Sequence, residues 1–129
     1  MEAFDTNVIV RVLVGDEPTQ TRKAERAFLH HANGDGVFIS LVVLAEVAWV
    51  LSAAYEWKRG TIHERLARLA RTRGVHFEEL DLVEAALSAY QAGKADLADH
   101  LIVNKAHSVG AELLTFDKQL GREPGVKLL

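Results

Sequence analysis

Four acidic residues stand where carboxylates can do chemistry: Asp5, Glu46, Asp99 and Asp117. Asp5 and Asp117 each follow a short apolar stretch that predicts a strand, and Asp99 falls in the first turn of a predicted helix. Glu46 is the only charge in the apolar run 40–52. Because that run predicts a helix that is apolar nearly all round and therefore buried, Glu46 is expected to need a cation or a base as its partner.

Each acid also has a structural interpretation that involves no chemistry. Asp5 and Asp117 are suited to be helix N-caps, and Asp99 is favoured near a helix N-terminus by the helix dipole. Glu46 lies too deep in its helix to be a cap, but a position on the helix edge with an arginine partner would account for it. These alternatives stay open for each residue taken singly.

The elements that would position the acids alternate along the chain. The predicted strands are Glu2–Phe4, Val37–Ile39, Val75–Leu80, Glu112–Thr115 and Val126–Leu129. The predicted helices are Val8–Val14, Thr19–Ala32, the run 40–52, the segment 60–74, Asp81–Ala92 and Asp96–Ser108. This alternation predicts an α/β fold with a parallel sheet and helices on both faces. No linker or repeat interrupts it, so residues 1–129 are expected to form one domain.

In such sheets, ligands bind at the carboxyl ends of the strands, so the acids are expected to gather at one edge. Asp96 lies three residues before Asp99, on the same helical face, and is expected to join them. Clustered carboxylates repel one another, and a divalent cation removes that difficulty. The chain has no cysteine, which excludes thiolate zinc sites. An all-oxygen site suits Mg²⁺ or Mn²⁺, and such sites typically serve phosphoryl transfer or phosphodiester hydrolysis.

The net charge of −3 argues against a globally basic nucleic-acid-binding protein. A local basic segment nevertheless runs from Lys58 to Arg73, with six basic residues against one acid. In this segment Ile62, Leu66 and Leu69 are predicted to be buried, which leaves Arg65, Arg68 and Arg71 on the flank and outer side. Either a solvated helix face or a binding surface would have this pattern.

The chain is expected to be soluble and cytoplasmic. No run of about 18 apolar residues is available to cross a membrane, because Glu46 interrupts the longest one. The first five residues lack the basic start of a signal peptide.

Four segments, in this order, resemble the motifs of PIN-domain nucleases, and specifically of the VapC ribonuclease toxins: Phe4–Val10, Ile39–Val47, Ala95–Ile102 and Leu114–Asp117. The resemblance covers essentially the whole chain. It implies a PIN-like three-layer α/β fold with a central, mainly parallel sheet of short strands flanked by helices. It also implies a Mg²⁺-dependent endoribonuclease that acts as the toxin of a toxin–antitoxin pair, with an RNA substrate, a homodimer and an antitoxin that blocks the site.

The resemblance assigns roles to particular residues. The catalytic and metal-binding acids would be Asp5, Glu46, Asp99 and Asp117, with Glu46 either a ligand or the base that activates water. Auxiliary positions around them would be Asp96, Thr6, Asn7, Ser40 and Thr115. Candidates to hold the RNA backbone are Arg11, Arg65, Arg68, Arg71 and Lys118. His100 replaces an expected small residue and is interpreted as a supporting or surface group, and no histidine is given a catalytic role.

The sequence leaves two rival functions open. A phosphatase of the haloacid-dehalogenase type needs an Asp-x-Asp after the first strand, but Asn7 stands at the second position. A non-catalytic interaction module would keep the fold and only bind a partner, although the presence of all four acids argues against it. Trp49, Val50 and Trp57 would suit a dimer or antitoxin contact, but such residues are more often core.

Overall fold

The computed structural model describes residues 1–129. Its six α-helices are α1 (Thr6–Val14), α2 (Pro18–Ala32), α3 (Leu41–Ala53), α4 (Arg59–Ala70), α5 (Leu80–Ala92) and α6 (Leu97–Ser108). Its five short strands are β1 (Glu2–Ala3), β2 (Val37–Ile39), β3 (Val75–Phe77), β4 (Leu113–Thr115) and β5 (Val126–Leu128). No helix combines the length and the apolar character that a membrane span requires.

The strands form two parallel sheets. The first has the order β1-β2-β3, with Ala3 opposite Phe38 and Phe38 opposite His76. The second pairs β4 with β5, and Leu113 lies opposite Val126. The predicted α/β class is confirmed by the six helices and the small parallel sheet, although the strands are divided between two sheets rather than joined in one.

The main core lies between the first sheet and the helices. The central strand β2 contributes Val37 and Ile39, which are 0% and 1% exposed. Helix α4 contributes Ile62, Leu66 and Leu69 at the predicted spacing, and all three are buried. The 3.6-residue period of the sequence therefore predicted the phase of α4 correctly.

A second, smaller apolar cluster holds the C-terminal strands. Ala95, Val103 and Leu120 are buried in it, and Leu113 and Val126 pack against them. A short 3₁₀ helix at Leu120–Arg122, which the sequence did not predict, supplies Leu120. The segment that carries Asp117 is therefore positioned by α6 and the end of the α5–α6 connection.

The predicted boundary between β3 and α5 was wrong. The strand ends at Phe77 rather than at Leu80, and α5 begins at Leu80, so that Asp81 lies in its first turn instead of capping it. Glu79 precedes the helix in the left-handed region, with φ of 50°. Directly after the strand, Glu78 Oε1 accepts a hydrogen bond from the Leu41 N–H at the start of α3, at 2.8 Å.

Candidate active site

Three polar side chains follow the three strands of the first sheet. Asp5 lies two residues after β1, Ser40 follows β2 directly, and Glu78 follows β3 directly. Because the strands are parallel, their carboxyl ends lie at one edge of the sheet. This is the edge at which α/β proteins usually bind ligands.

Asp5 is the N-cap of α1. Its Oδ1 accepts a hydrogen bond from the Thr6 N–H at 2.8 Å, so one carboxylate oxygen caps the helix as the sequence predicted. Its Oδ2 accepts no hydrogen bond from the protein, and the residue is exposed. A cap of this kind fixes the carboxylate in place while leaving one oxygen free for a ligand.

Glu46 is exposed, which corrects the expectation of a buried charge. Helix α3 packs against α1, α4 and α6 but leaves one stripe to solvent, where Val42 and Trp49 are 70% and 64% exposed. The spacing of 42, 46 and 49 puts these three side chains on one face. Trp49 is therefore not a core residue, whereas Val50 and Trp57 are partly buried against the core.

Glu46 has no arginine partner either. Its Oε1 instead accepts a hydrogen bond at 2.8 Å from the hydroxyl of Thr6, a residue that is only 8% exposed. The backbone N–H of Thr6 donates to Asp5, so this one residue links Asp5 to Glu46. This contact joins the start of α1 to the middle of α3.

Glu78 is a residue that the sequence argument missed. It anchors the N-terminus of α3, the helix that carries Glu46, while Ser40 Oγ accepts from the Val43 N–H at 3.2 Å. The available signal was an acid directly after the third strand, but the strand was predicted to run through it.

Asp96, Asp99 and Asp117 share a small open cavity of about 150 Å³. Its other lining residues are Lys94, Ala95, Gln119 and Leu120. Asp96 is the N-cap of α6, yet its side chain makes no capping hydrogen bond. Asp117 Oδ1 accepts hydrogen bonds from the N–H groups of Gln119 and Leu120, at 2.8 and 3.1 Å. Thr115 orients Asp117 in turn, because its Oγ1 accepts from the Asp117 N–H at 3.0 Å.

Asp99 is electrostatically unusual within this cavity. Partial burial raises the pKa of its carboxyl above the ordinary value, and the nearby carboxylates of Asp96 and Asp117 raise it further. The backbone of Asp96 and the side chain of His100 act in the opposite direction on this pKa. Ionised Asp99 is thus held next to charges of its own sign, as expected for a group that serves a cation.

The donor chemistry suits Mg²⁺ or Mn²⁺, since every candidate ligand is a carboxylate or hydroxyl oxygen. None of the five acids forms an ion pair with a lysine, arginine or histidine. Nowhere, however, do three or more histidine or acidic side chains come close enough together to hold a metal ion. Thr6 links Asp5 to Glu46 by hydrogen bonds. A separate group, Asp96, Asp99 and Asp117, lines the cavity. That one metal ion binds acids of both groups stays a prediction.

The candidate RNA-binding residues differ in how many contacts their side chains already make within the protein. Arg11 donates to Gln20 at 2.8 Å and to the Tyr55 hydroxyl at 3.1 Å. Arg65 donates to the Leu13 carbonyl at 2.7 Å and lies 5.2 Å from the Trp57 ring.

The remaining candidates are more accessible. Arg68 pairs on the surface with Glu64 at 2.8 Å. Arg71 and Lys118 are exposed and form no ion pair. Arg68, Arg71 and Lys118 therefore remain the most available of the five candidates.

Two further positions were only partly foreseen. His100 is 2% exposed rather than at the surface, and its Nε2 is buried without a hydrogen-bond partner. Asn7 is exposed and lines an open groove between α1 and α2 together with Arg11.

The parallel sheet and the acids that follow its strands define an α/β protein with a polar site at the sheet edge. The model of the PIN domain matches residues 3–124, so the chain belongs to the PIN domain family. PIN domains are generally metal-dependent nucleases, and this membership sets aside the haloacid-dehalogenase alternative.

No curated protein matches the chain. Among solved structures, a chain of a toxin–antitoxin complex from Klebsiella pneumoniae is 25% identical in sequence. The match covers 98% of this chain and 95% of that one, with a TM-score of 0.38.

Proposed function

We propose that this PIN domain is a metal-dependent endoribonuclease that acts as the toxin of a toxin–antitoxin pair. The observation that carries the proposal is the set of five carboxylates, Asp5, Glu46, Asp96, Asp99 and Asp117, that lack any basic partner in a chain of this family. The four motifs that resemble VapC toxins support the choice of RNA as substrate.

The residues divide the work according to their surroundings. Asp5 and Asp99 are the proposed direct metal ligands, with Asp117 and Glu46 completing the set. When bound, Mg²⁺ supplies Lewis-acid chemistry that favours attack of water on the phosphodiester and offsets the developing negative charge. Glu46 keeps its Oε2 free to orient or deprotonate the attacking water, because only Oε1 accepts from Thr6.

The proposal includes a homodimer and an antitoxin, as the resemblance implies. The exposed stripe of α3 supports a protein partner here, since Val42 and Trp49 flank Glu46 and are 70% and 64% exposed. A partner that covered these two side chains would cover Glu46 as well, and would thereby block the site.

The proposal is tested by incubating the purified protein with single-stranded RNA in the presence of Mg²⁺, Mn²⁺ or a chelator. We expect cleavage with either metal and none with the chelator. Asp99→Asn should abolish cleavage, whereas Asp81→Asn, which changes an acid in the first turn of α5, should not. Tight binding of RNA or protein without cleavage under any condition would favour the non-catalytic interaction module.

A further inference from the structure

Arg59, the first residue of α4, binds the chain at the point where α5 gives way to α6. Its Nη1 donates to the carbonyls of Tyr90 and Ala95 at 3.0 and 2.7 Å, and its Nη2 donates to the carbonyl of Lys94 at 2.8 Å. The carbonyls of Lys94 and Ala95 accept no hydrogen bond from any backbone N–H. Arg59 is therefore their only hydrogen-bond donor within the protein.

The guanidinium of Arg59 is itself held in place. It lies 4.3 Å from the centre of the Tyr90 ring, and Tyr90 is only 5% exposed. A planar, charged fork stacked on a fixed ring loses little further freedom when it binds several carbonyls. The contact is thus a rigid one between the start of α4 and the end of α5.

The segment that Arg59 binds leads directly into the acidic cavity. Lys94 and Ala95 line that cavity beside Asp96, Asp99 and Asp117. Gly93 ends α5 in an extended conformation, so the helical ladder does not continue into this connection. Arg59 therefore binds the carbonyl groups of the two residues that line the cavity just before Asp96.

We propose that Arg59 is a positioning residue for the nuclease site: by binding three carbonyls it sets where α6 begins, and so where Asp96 and Asp99 stand. The inference rests on the proposed function, because it concerns the same carboxylates. Lysine is not a substitute, since one ammonium group cannot reproduce the planar fork that reaches three carbonyls.

A purely structural anchor is the competing explanation, and the same helix offers a matched control. Arg65 also donates to a backbone carbonyl and also lies over an aromatic ring, but its partners are Leu13 and Trp57. Leu13 and Trp57 do not line the acidic cavity. If Arg59 only stabilises the fold, Arg59→Lys and Arg65→Lys should bind Mn²⁺ with the same affinity.

The experiment measures Mn²⁺ binding by titration calorimetry for wild type, Arg59→Lys and Arg65→Lys, and kcat and KM for RNA cleavage by wild type and Arg59→Lys. We expect Arg59→Lys to weaken Mn²⁺ binding about 10- to 100-fold, the effect usual for groups that orient metal ligands. Its kcat should fall more than its KM changes. Arg65→Lys should bind Mn²⁺ as wild type does.

Equal Mn²⁺ affinity in Arg59→Lys and Arg65→Lys, with a wild type that binds Mn²⁺ and cleaves RNA, would overturn this inference alone. A wild type that neither binds Mn²⁺ nor cleaves RNA would overturn the proposed function instead. Arg59→Gln, which keeps a single NH₂ group in place of the guanidinium, serves as the second variant if Arg59→Lys does not fold. Faster amide exchange at residues 100–103, the first α6 amides with helical hydrogen bonds, is the expected accompanying result in the folded variant, with unchanged exchange in α1.

Discussion

Thr6, the residue after Asp5, contacts through its hydroxyl the helix that carries Glu46. It donates to Glu46 Oε1 at 2.8 Å from a position that is 8% exposed. Replacement of the hydroxyl by a methyl group in Thr6→Val releases the Glu46 side chain. We expect cleavage to fall about tenfold, as is common when a ligand loses its orienting partner. The free energy of unfolding should fall by about 1 kcal/mol, because exposed Glu46 regains hydrogen bonds from water.

Thr21 provides the control for this prediction. It too is 8% exposed, but its hydroxyl is buried without any hydrogen-bond partner. Thr21→Val should therefore leave cleavage unchanged and leave stability equal or slightly higher. Thermal unfolding and cleavage rates of both variants check the pair, and equal loss of activity in both would remove the special role of the Thr6–Glu46 contact.

Asp99 predicts a dependence of stability on pH. Burial, Asp96 and Asp117 raise its folded-state pKa above the unfolded value of 3.8, so the native state binds protons more tightly. The contribution of this group to stability therefore falls as pH rises from the unfolded pKa through the folded one. Metal-free Asp99→Asn should be at least as stable as wild type at pH 7, and the difference should disappear below about pH 3.

Denaturant unfolding of wild type and Asp99→Asn at a series of pH values measures this difference. If Asp99→Asn proves less stable than wild type at pH 7, Asp99 stabilises the start of α6 through the helix dipole, and the repulsion argument fails.

At the scale of elements, α4 divides its arginines between structure and surface. Arg59 and Arg65 bind backbone carbonyls, whereas Arg68 faces solvent, as does Arg71 directly after the helix. A double change of Arg68 and Arg71 to alanine should weaken RNA binding at low salt. If each arginine contacts one phosphate of single-stranded RNA, the slope of log K against log salt should become shallower by about 1.4.

The paired control changes Arg22 and Arg26 to alanine. These are exposed arginines on α2, spaced one turn apart and without ion pairs. Filter binding at several salt concentrations separates the two helices. A larger change in slope for the α2 pair would place the RNA backbone over α2 and remove α4 from the interface.

Where apolar residues recur at a regular spacing, the sequence predicted which face of an element is buried. Where nearly all residues are apolar, it did not. The stripe of Ile62, Leu66 and Leu69 gave the phase of α4, and the residues Val37–Ile39 gave β2 without error. The run 40–52 predicted a helix but not which of its faces is exposed, because nearly every residue in it is apolar. Which stripe would face solvent was decided by the packing of α1, α4 and α6, and that stripe contains Glu46.

Contacts between distant segments were beyond the sequence argument. Glu78 binds Leu41, and Arg59 binds Ala95, across 37 and 36 residues of chain. Neither pair has a local spacing that would reveal it. The attachment of β4 and β5 to α6 through Leu120 likewise depended on a 3₁₀ turn that the sequence did not indicate.

For the whole molecule, the acids of the candidate site form two groups carried by different elements. Asp5 and Glu46 belong to the α1–α3 side, and Asp96, Asp99 and Asp117 belong to the side of α6. Helices α3 and α6 pack against each other, so the two groups are carried by adjoining elements. A cation that bound oxygens from both groups would tie these elements together in the folded state only.

Such a cation should stabilise the whole domain by mass action. At a free Mg²⁺ concentration of 100 times its dissociation constant, the free energy of unfolding should rise by about 2.7 kcal/mol. For a chain of 129 residues this corresponds to an increase in Tm of about 10 °C. Thermal unfolding with Mg²⁺, with a chelator, and with NaCl at matched ionic strength measures the effect. Asp99→Asn should lose the shift while Asp81→Asn keeps it, and an equal shift in NaCl would show that general screening of the acidic surface, rather than a bound ion, stabilises the fold.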